Sequence, residues 1–211
     1  MEKEKDIFIY RGTFSEGGCY KIIKDLIKTL DAEQKYNLYL ISFVNINFDF
    51  SNFLIENNIF LNEIVIPKDF YWRRLATLSL KKLIESKKDP ILISYLDFNT
   101  NDFFSICSAF FDKRIYWINF FTNHPSVISQ WFKRKNSNSG ISQENFYRAV
   151  DCIRLENPSF SKFIPEDLKH KILSFYNTVS IPNYKTINFE NKYNILSING
   201  LREKRKSIVP F

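Results

Sequence analysis

The sequence predicts an α/β fold, a Rossmann-like, doubly wound parallel sheet with helices on both faces. Two observations carry that expectation. Short apolar runs that suit strands covered on both faces alternate with longer stretches whose apolar residues recur at helical spacing. Such alternation means parallel strands joined by right-handed crossovers. Glycine is scarce, yet three of the five glycines, Gly12, Gly17 and Gly18, fall in one segment, GTFSEGG, between the first apolar run and the first amphipathic one.

In chain order, IFIY at 7–10 reads as the first strand. Behind the glycine segment, Cys19, Ile22, Ile23, Leu26, Ile27 and Leu30 lie on one stripe of a helix, with Lys21, Lys24, Asp25 and Lys28 expected to face water. Strands are expected at 38–43 and 63–66, and Pro67 opens a helix over 70–86. Further on, 91–93 reads as strand, 102–111 as helix, 115–121 as strand, 142–150 as helix, 152–155 as strand, 166–175 as helix and 179–181 as strand. NYKTINFENK, 183–192, is polar and irregular and reads as a linker, beyond which YNILSI starts a fresh strand. The expected organisation is a domain over 1–182, a linker over 183–192 and the beginning of a second α/β domain over 193–211.

Thirty Lys and Arg against 23 Asp and Glu give a formal charge of +7, which favours anionic partners: phosphorylated small molecules, lipid headgroups or nucleic acid. An ordinary solvated basic surface explains the excess equally well. The cations are spread along most of the chain and not clustered with stacking aromatics, so nucleic acid ranks last. Cys19, Cys107 and Cys152 are isolated and odd in number, which argues against a disulfide framework. With only His124 and His170 besides, no zinc constellation can be assembled at familiar spacing, no DxD-type carboxylate pair is evident, and neither metal nor cofactor is expected. No signal peptide and no apolar run of bilayer-crossing length is present, so a cytoplasmic location is expected, with room for peripheral contact at the inner membrane.

Strand, glycine turn and helix N-terminus together make an anion site, because the first helical N–H groups are unpaired and the helix dipole adds partial positive charge. Gly17 and Gly18 would let a ligand approach the backbone; a βα turn with glycines for conformational reasons alone explains the same residues. A Walker loop requires GK[ST], and here Gly18 is followed by Cys19 and Tyr20. The dinucleotide fingerprint requires GxGxxG and an acid closing the second strand, and neither is present, which disfavours a nicotinamide or flavin oxidoreductase.

The ordered set of segments resembles the retaining GT-B-type glycosyltransferases. DIFIYRGTFSEGGCYKIIKDLIKTL resembles their opening strand, Gly-Gly loop and helix, and YNLYLISF the strand that follows. ILISYLDFNTNDFFSICSAFFDKRIYWINFF, FYRAVDCIRLENPSF and VSIPNY are similar to later segments in the same order, and YNILSINGLREKRKSIVPF to the opening of the second domain. The resemblance spans nearly all of this chain and about the first half of such an enzyme.

That resemblance implies a nucleotide-sugar donor and a glycan or lipid-linked acceptor, in the setting of bacterial surface polysaccharide or lipopolysaccharide synthesis. It puts the donor diphosphate against Gly17 and Gly18, with Glu16 beside them, and against cations from the second domain's first loop. There the family's Arg position falls on Gly200, a departure from the pattern, while Arg202 and Arg205, among Lys204 and Lys206, stand nearby. A solvated helix start is the competing account of that run. Acceptor contacts are implied at strand ends, for Tyr95, Asp97, Asn119 and His124, with Asn123 adjacent. The resemblance supplies no catalytic residue here. The family's paired glutamates lie farther into the second domain, so the chain by itself is expected not to catalyse transfer.

The helix over 70–86 carries Phe70-Tyr71-Trp72-Arg73-Arg74 and Lys81-Lys82. A helical wheel groups Trp72, Leu75, Ala76 and Leu83 against Arg73, Arg74, Lys81 and Lys88, with Leu80 and Ile84 among the basic residues. Two readings stand: a helix lying at an anionic inner-leaflet surface, or an ordinary helix packed on the sheet. A non-catalytic shortened paralogue or split subunit, acting as a binding module with a partner chain, is the rival to the transferase reading.

Overall fold

The structure is a computed structural model that describes residues 5–11, 18–67, 70–95, 115–121, 148, 150–155 and 157–174. These belong to one compact unit, Met1–Asn177. The second unit, Thr178–Phe211, falls outside the described residues, and with it the expected linker and second domain.

The elements run β1 (Lys5–Tyr10), α1 (Gly18–Ala32), β2 (Tyr36–Ser42), α2 (Phe48–Glu56), β3 (Asn62–Val65), α3 (Phe70–Glu85), β4 (Ile91–Ser94), β5 (Tyr116–Phe121), β6 (Cys152–Leu155) and β7 (Ile172–Ser174). Two 3₁₀ segments, Pro158–Phe163 and Glu166–Lys171, join β6 to β7. The strands form one sheet in the order β3-β2-β1-β4-β5-β6-β7, and every described pair is parallel. The chain winds outward from β1 to β3, then crosses back and winds the other way from β4 to β7. The reversal falls between β1 and β4, which is the topological switch point of a doubly wound sheet.

Alternation along the strands divides the core. Phe8, Tyr10, Leu92 and Trp117 pack on one face with Leu80 and Ile84 of α3. Ile7, Ile9, Ile93 and Phe120 pack on the other with Ile23 and Ile27 of α1 and Phe50 of α2. Both faces are therefore apolar, as the continuous run IFIY requires.

Several expectations are corrected. Lys24 does not simply face water: its Nζ donates to Asp49 Oδ2 at 2.7 Å and lies over the rings of Tyr20 and Phe53. Tyr20 donates its hydroxyl to the same carboxylate, so α1 and α2 are clamped together. The wheel of α3 is borne out in part: Ala76 and Leu83 pack on the core as grouped, but Thr77, Leu80 and Ile84 are the buried residues beside them and Leu75 is 42% exposed. The sheet-facing side is therefore turned toward Leu80 and Ile84.

Of the helix expected over 166–175, the described residues 166–174 are not α-helical. After Pro165 they make the second 3₁₀ segment, and Ile172–Ser174 then pairs with β6, Ile153 opposite Ile172. A free strand edge offers those residues ladder hydrogen bonds that a short helix could not match. The sequence reading also missed α2, which Asn47 caps by accepting from the backbone N–H of Phe50 at 2.9 Å. The expected helix at 102–111, most of that at 142–150 and the strand at 179–181 lie outside the described residues.

Candidate functional site at the switch point

In an open parallel sheet ligands bind outside the carboxyl ends of the strands, at the switch point. Here that is where β1 and β4 end side by side, with Tyr10 opposite Ser94. Hydrogen bonding continues one residue further: Tyr95 N–H donates to Tyr10 O at 3.0 Å, and Arg11 N–H to Ile41 O at 2.9 Å. Both crossovers are thereby held until they leave the sheet.

On the α3 face of β1, β4 and β5, the polar side chains Ser94 and Asn119 are fully buried in this last row. One row inward the neighbours are Phe8, Leu92 and Trp117; in the last row they are Tyr10, Ser94 and Asn119. The Trp117 indole N–H donates to Ser94 Oγ at 2.8 Å, which directs the serine hydroxyl onward to Asn119 Oδ1 at 2.7 Å. Nδ2 of Asn119 is buried and has no hydrogen-bond partner among the described residues. Reversing the amide would take the acceptor away from the Ser94 hydroxyl, so the network sets Oδ1 toward Ser94.

The α1 face of the same region is aromatic and cationic. The rings of Tyr95 and Phe120 stack with centroids 4.6 Å apart, and the guanidinium of Arg154 lies 5.1 Å from the Phe120 centroid. Arg154 is 1% exposed. Arg11, Tyr95, Asn119 and Arg154 thus stand at the carboxyl ends of four neighbouring strands, and no acid is among the described residues there. Gly18 is the first residue of α1, and the first turn of that helix also carries no acid. The described acid closest to that helix start is Asp49, in the first turn of α2, whose carboxylate is held by Tyr20 and Lys24 of α1.

Of the residues expected from sequence, Gly18, Tyr95 and Asn119 are described; Gly17, Asp97, His124, Arg202 and Arg205 lie outside the described residues. Tyr95 and Asn119, both expected as acceptor contacts at strand ends, belong to opposite faces of the sheet. Tyr95 belongs to the α1-side core, whereas Asn119 shares the face of Trp117. Sequence reasoning missed Ser94, Trp117 and Arg154. The arginine alone left a signal, a cation within the apolar run CIRL.

A cavity of about 460 Å³ opens at the opposite, amino ends of β1, β4 and β5, lined by Lys5, Asp89, Pro90, Ile91 and Tyr116. It lies at the wrong end of the sheet for the switch-point chemistry. Among the described residues no group of His, Cys, Asp and Glu is gathered to hold a metal ion, and no helix is long and apolar enough to cross a membrane.

No family model and no curated protein sequence matches the chain. Solved structures do. The lipopolysaccharide outer core galactosyltransferase WaaB, in its apo form, superposes with a TM-score of 0.56 at 14% identity, over 85% of this chain and 47% of its own. Anabaena Alr3699/HepE in complex with UDP gives 0.48 at 14% identity, over 83% and 44%. A UDP-N-acetylglucosamine 2-epimerase gives 0.49 at 13% identity, over 82% and 46%. The chain spans about half the length of these structures. The superposition with WaaB shows the fold: this chain carries a Rossmann-like domain of the kind from which GT-B-type glycosyltransferases are built.

Proposed function

We propose that this chain is the acceptor-side domain of a glycosyltransferase that moves a sugar from a nucleotide-activated donor to a glycan or lipid-linked acceptor. The observation that supports it most is a seven-stranded parallel sheet, in a fold that superposes on a galactosyltransferase, with Arg11 and Tyr95 directly after the two strands at its switch point. In this reading Gly17 and Gly18 at the start of α1 face the donor diphosphate, with Arg202 and Arg205 supplying positive charge from the second domain. Helical N–H groups and cations would stabilise the departing nucleotide diphosphate, the largest electrostatic task of the reaction. Tyr95, Asp97, Asn119 and His124 would line the acceptor side and align the attacking hydroxyl. The likeness to a lipopolysaccharide enzyme supports a role in bacterial surface glycan synthesis, and a lipid-linked acceptor would bring the protein to an inner-leaflet surface. Retention of configuration belongs to the same reading.

The test is nucleotide release by the protein purified from its native host, supplied with UDP-, GDP- and ADP-hexoses. Release of the nucleoside diphosphate above the no-enzyme rate with one donor class is the expected result. Absence of both release and nucleotide binding with all three would overturn the proposal.

A further inference from the structure

A helix packed on a sheet ordinarily turns charged and polar residues to water. α3 does so only in part. Its buried residues Thr77, Leu80 and Ile84 face the sheet. At about 100° per residue, Leu75, Leu78, Ser79 and Lys82 fall on the opposite side, and all four are exposed. Leu75 and Leu78 are thus open to solvent on the one side of the helix that no described element covers.

The same stretch concentrates the net charge of the chain. Cations are spread along the sequence, but the acids that balance them elsewhere are missing here. Residues 70–88 hold Arg73, Arg74, Lys81, Lys82, Lys87 and Lys88 against Glu85 alone, a net +5 of the chain's +7. Glu85 is itself paired with Lys81 at 3.7 Å. No described residue exposed between 75 and 88 is acidic, whereas Lys82 and Lys88 are exposed. The first turn reads Phe70-Tyr71-Trp72 ahead of Arg73-Arg74, residue types that favour the boundary between bilayer and water. α2, on the other face of the sheet, opens Phe48 and Ile55 to solvent but carries Asp49 and Glu56 and no cation, so anionic headgroups would be repelled there.

The strands on either side of this crossover are parallel, so α3 runs back against them and its first turn is level with their carboxyl ends. The apolar end of the exposed stripe, Leu75 and Leu78, is therefore nearer the switch point than its basic end. We propose that the outer side of α3 is an interfacial docking surface whose occupant is an anionic lipid bilayer. Leu75 and Leu78 enter the headgroup boundary, and Lys82 and Lys88 meet the lipid phosphates. The bilayer then lies alongside the carboxyl ends of the strands, one helix diameter, about 10 Å, from the sheet. That position suits a lipid-linked acceptor, a consequence that rests on the transferase reading; the docking itself does not.

Co-sedimentation of the full chain with phosphatidylglycerol–phosphatidylcholine vesicles, compared with phosphatidylcholine alone, tests it. The chain should pellet with the anionic vesicles and stay in solution with the neutral ones. Leu75→Ser with Leu78→Ser should lower the partition coefficient about tenfold, and Lys82→Gln about fivefold. Phe48→Ser with Ile55→Ser should leave it unchanged. Unchanged circular dichroism shows that each variant still folds. A chain that stays in solution with anionic vesicles, or binds both kinds equally, overturns the proposal. Binding indifferent to the leucine pair is adsorption of a basic chain by charge alone and overturns it, as does binding lost in the α2 variant instead. Nucleotide release is measured without vesicles, so either proposal can fail while the other stands.

Discussion

Ser94 donates its hydroxyl to Oδ1 of Asn119 at 2.7 Å, across the seam between β4 and β5, and both side chains are fully buried. The Trp117 N–H fixes the direction of that bond by donating to Ser94 Oγ. Ser94→Ala deprives both neighbours of this partner, and about 1–3 kcal/mol of stability should be lost. Replacing the pair together, as Ser94→Ala with Asn119→Leu, removes the stranded acceptor and should recover part of that loss. Urea denaturation of the single and double variants measures both. A double variant less stable than the sum of the two singles would mean that the bond is not the source of the effect.

The rotated face of α3 gives a second prediction. Leu80 is 3% exposed and packs with Phe8 and Leu92, whereas Leu75 is 42% exposed. Leu80→Ala should cost about 2–5 kcal/mol through the cavity it leaves, and Leu75→Ala less than about 0.5 kcal/mol. A larger loss for Leu75→Ala than for Leu80→Ala would return the helix to the orientation that the wheel suggested.

That contrast shows how far the sequence could be read. Strands such as IFIY and ILIS were legible because a doubly covered strand is a short continuous apolar run, and no partner need be known to recognise it. The orientation of α3 was not legible. Apolar residues lie on two sides of it, and only the sheet decides that Leu80 and Ile84 turn inward while Leu75 and Leu78 stay out. α2 and β7 depend on still less local information, an asparagine cap in one case and a free edge of β6 in the other. At the site, the position of Tyr95 and Asn119 near strand ends could be read, but not their assignment to opposite faces. The polar row Tyr10–Ser94–Asn119 depends on register between strands far apart in the chain.

Asp49 supplies a pH dependence. Hydrogen bonds from Lys24 first and Tyr20 second hold its carboxyl below the ordinary value of 3.8. The folded protein therefore binds that proton more weakly than the unfolded chain does, and the α1–α2 clamp contributes stability above the ordinary carboxylate value. The contribution is lost as the pH falls below 3.8 and through the depressed folded value. Thermal melts of the wild type and Asp49→Asn should differ at neutral pH and converge on acidification. A difference that stays constant into that acid range would show that the ionised carboxylate is not what clamps the helices.

Arg154 gives the last prediction. Its guanidinium lies 5.1 Å from the centre of the Phe120 ring and is withdrawn from solvent. Arginine does not lose its proton in a protein, and its flat, weakly hydrated head suits an aromatic face. Lysine in its place presents a compact, strongly hydrated ammonium, for which the same burial costs more, so Arg154→Lys should lose about 2 kcal/mol at neutral pH. A buried lysine can relieve that cost by releasing its proton, and its folded pKa then falls below the unfolded value of about 10.4. The unfolded state then binds more protons than the folded one, and stability rises with pH through that window. Arg154→Lys should therefore recover toward the wild type as the pH is raised from neutrality to about 10, whereas Arg154→Met, which carries no proton to release, should hold a constant offset. Denaturant midpoints of the three proteins at several pH values decide the matter. A lysine variant that is as stable as the wild type and flat with pH would place the side chain in water and remove Arg154 from the candidate site.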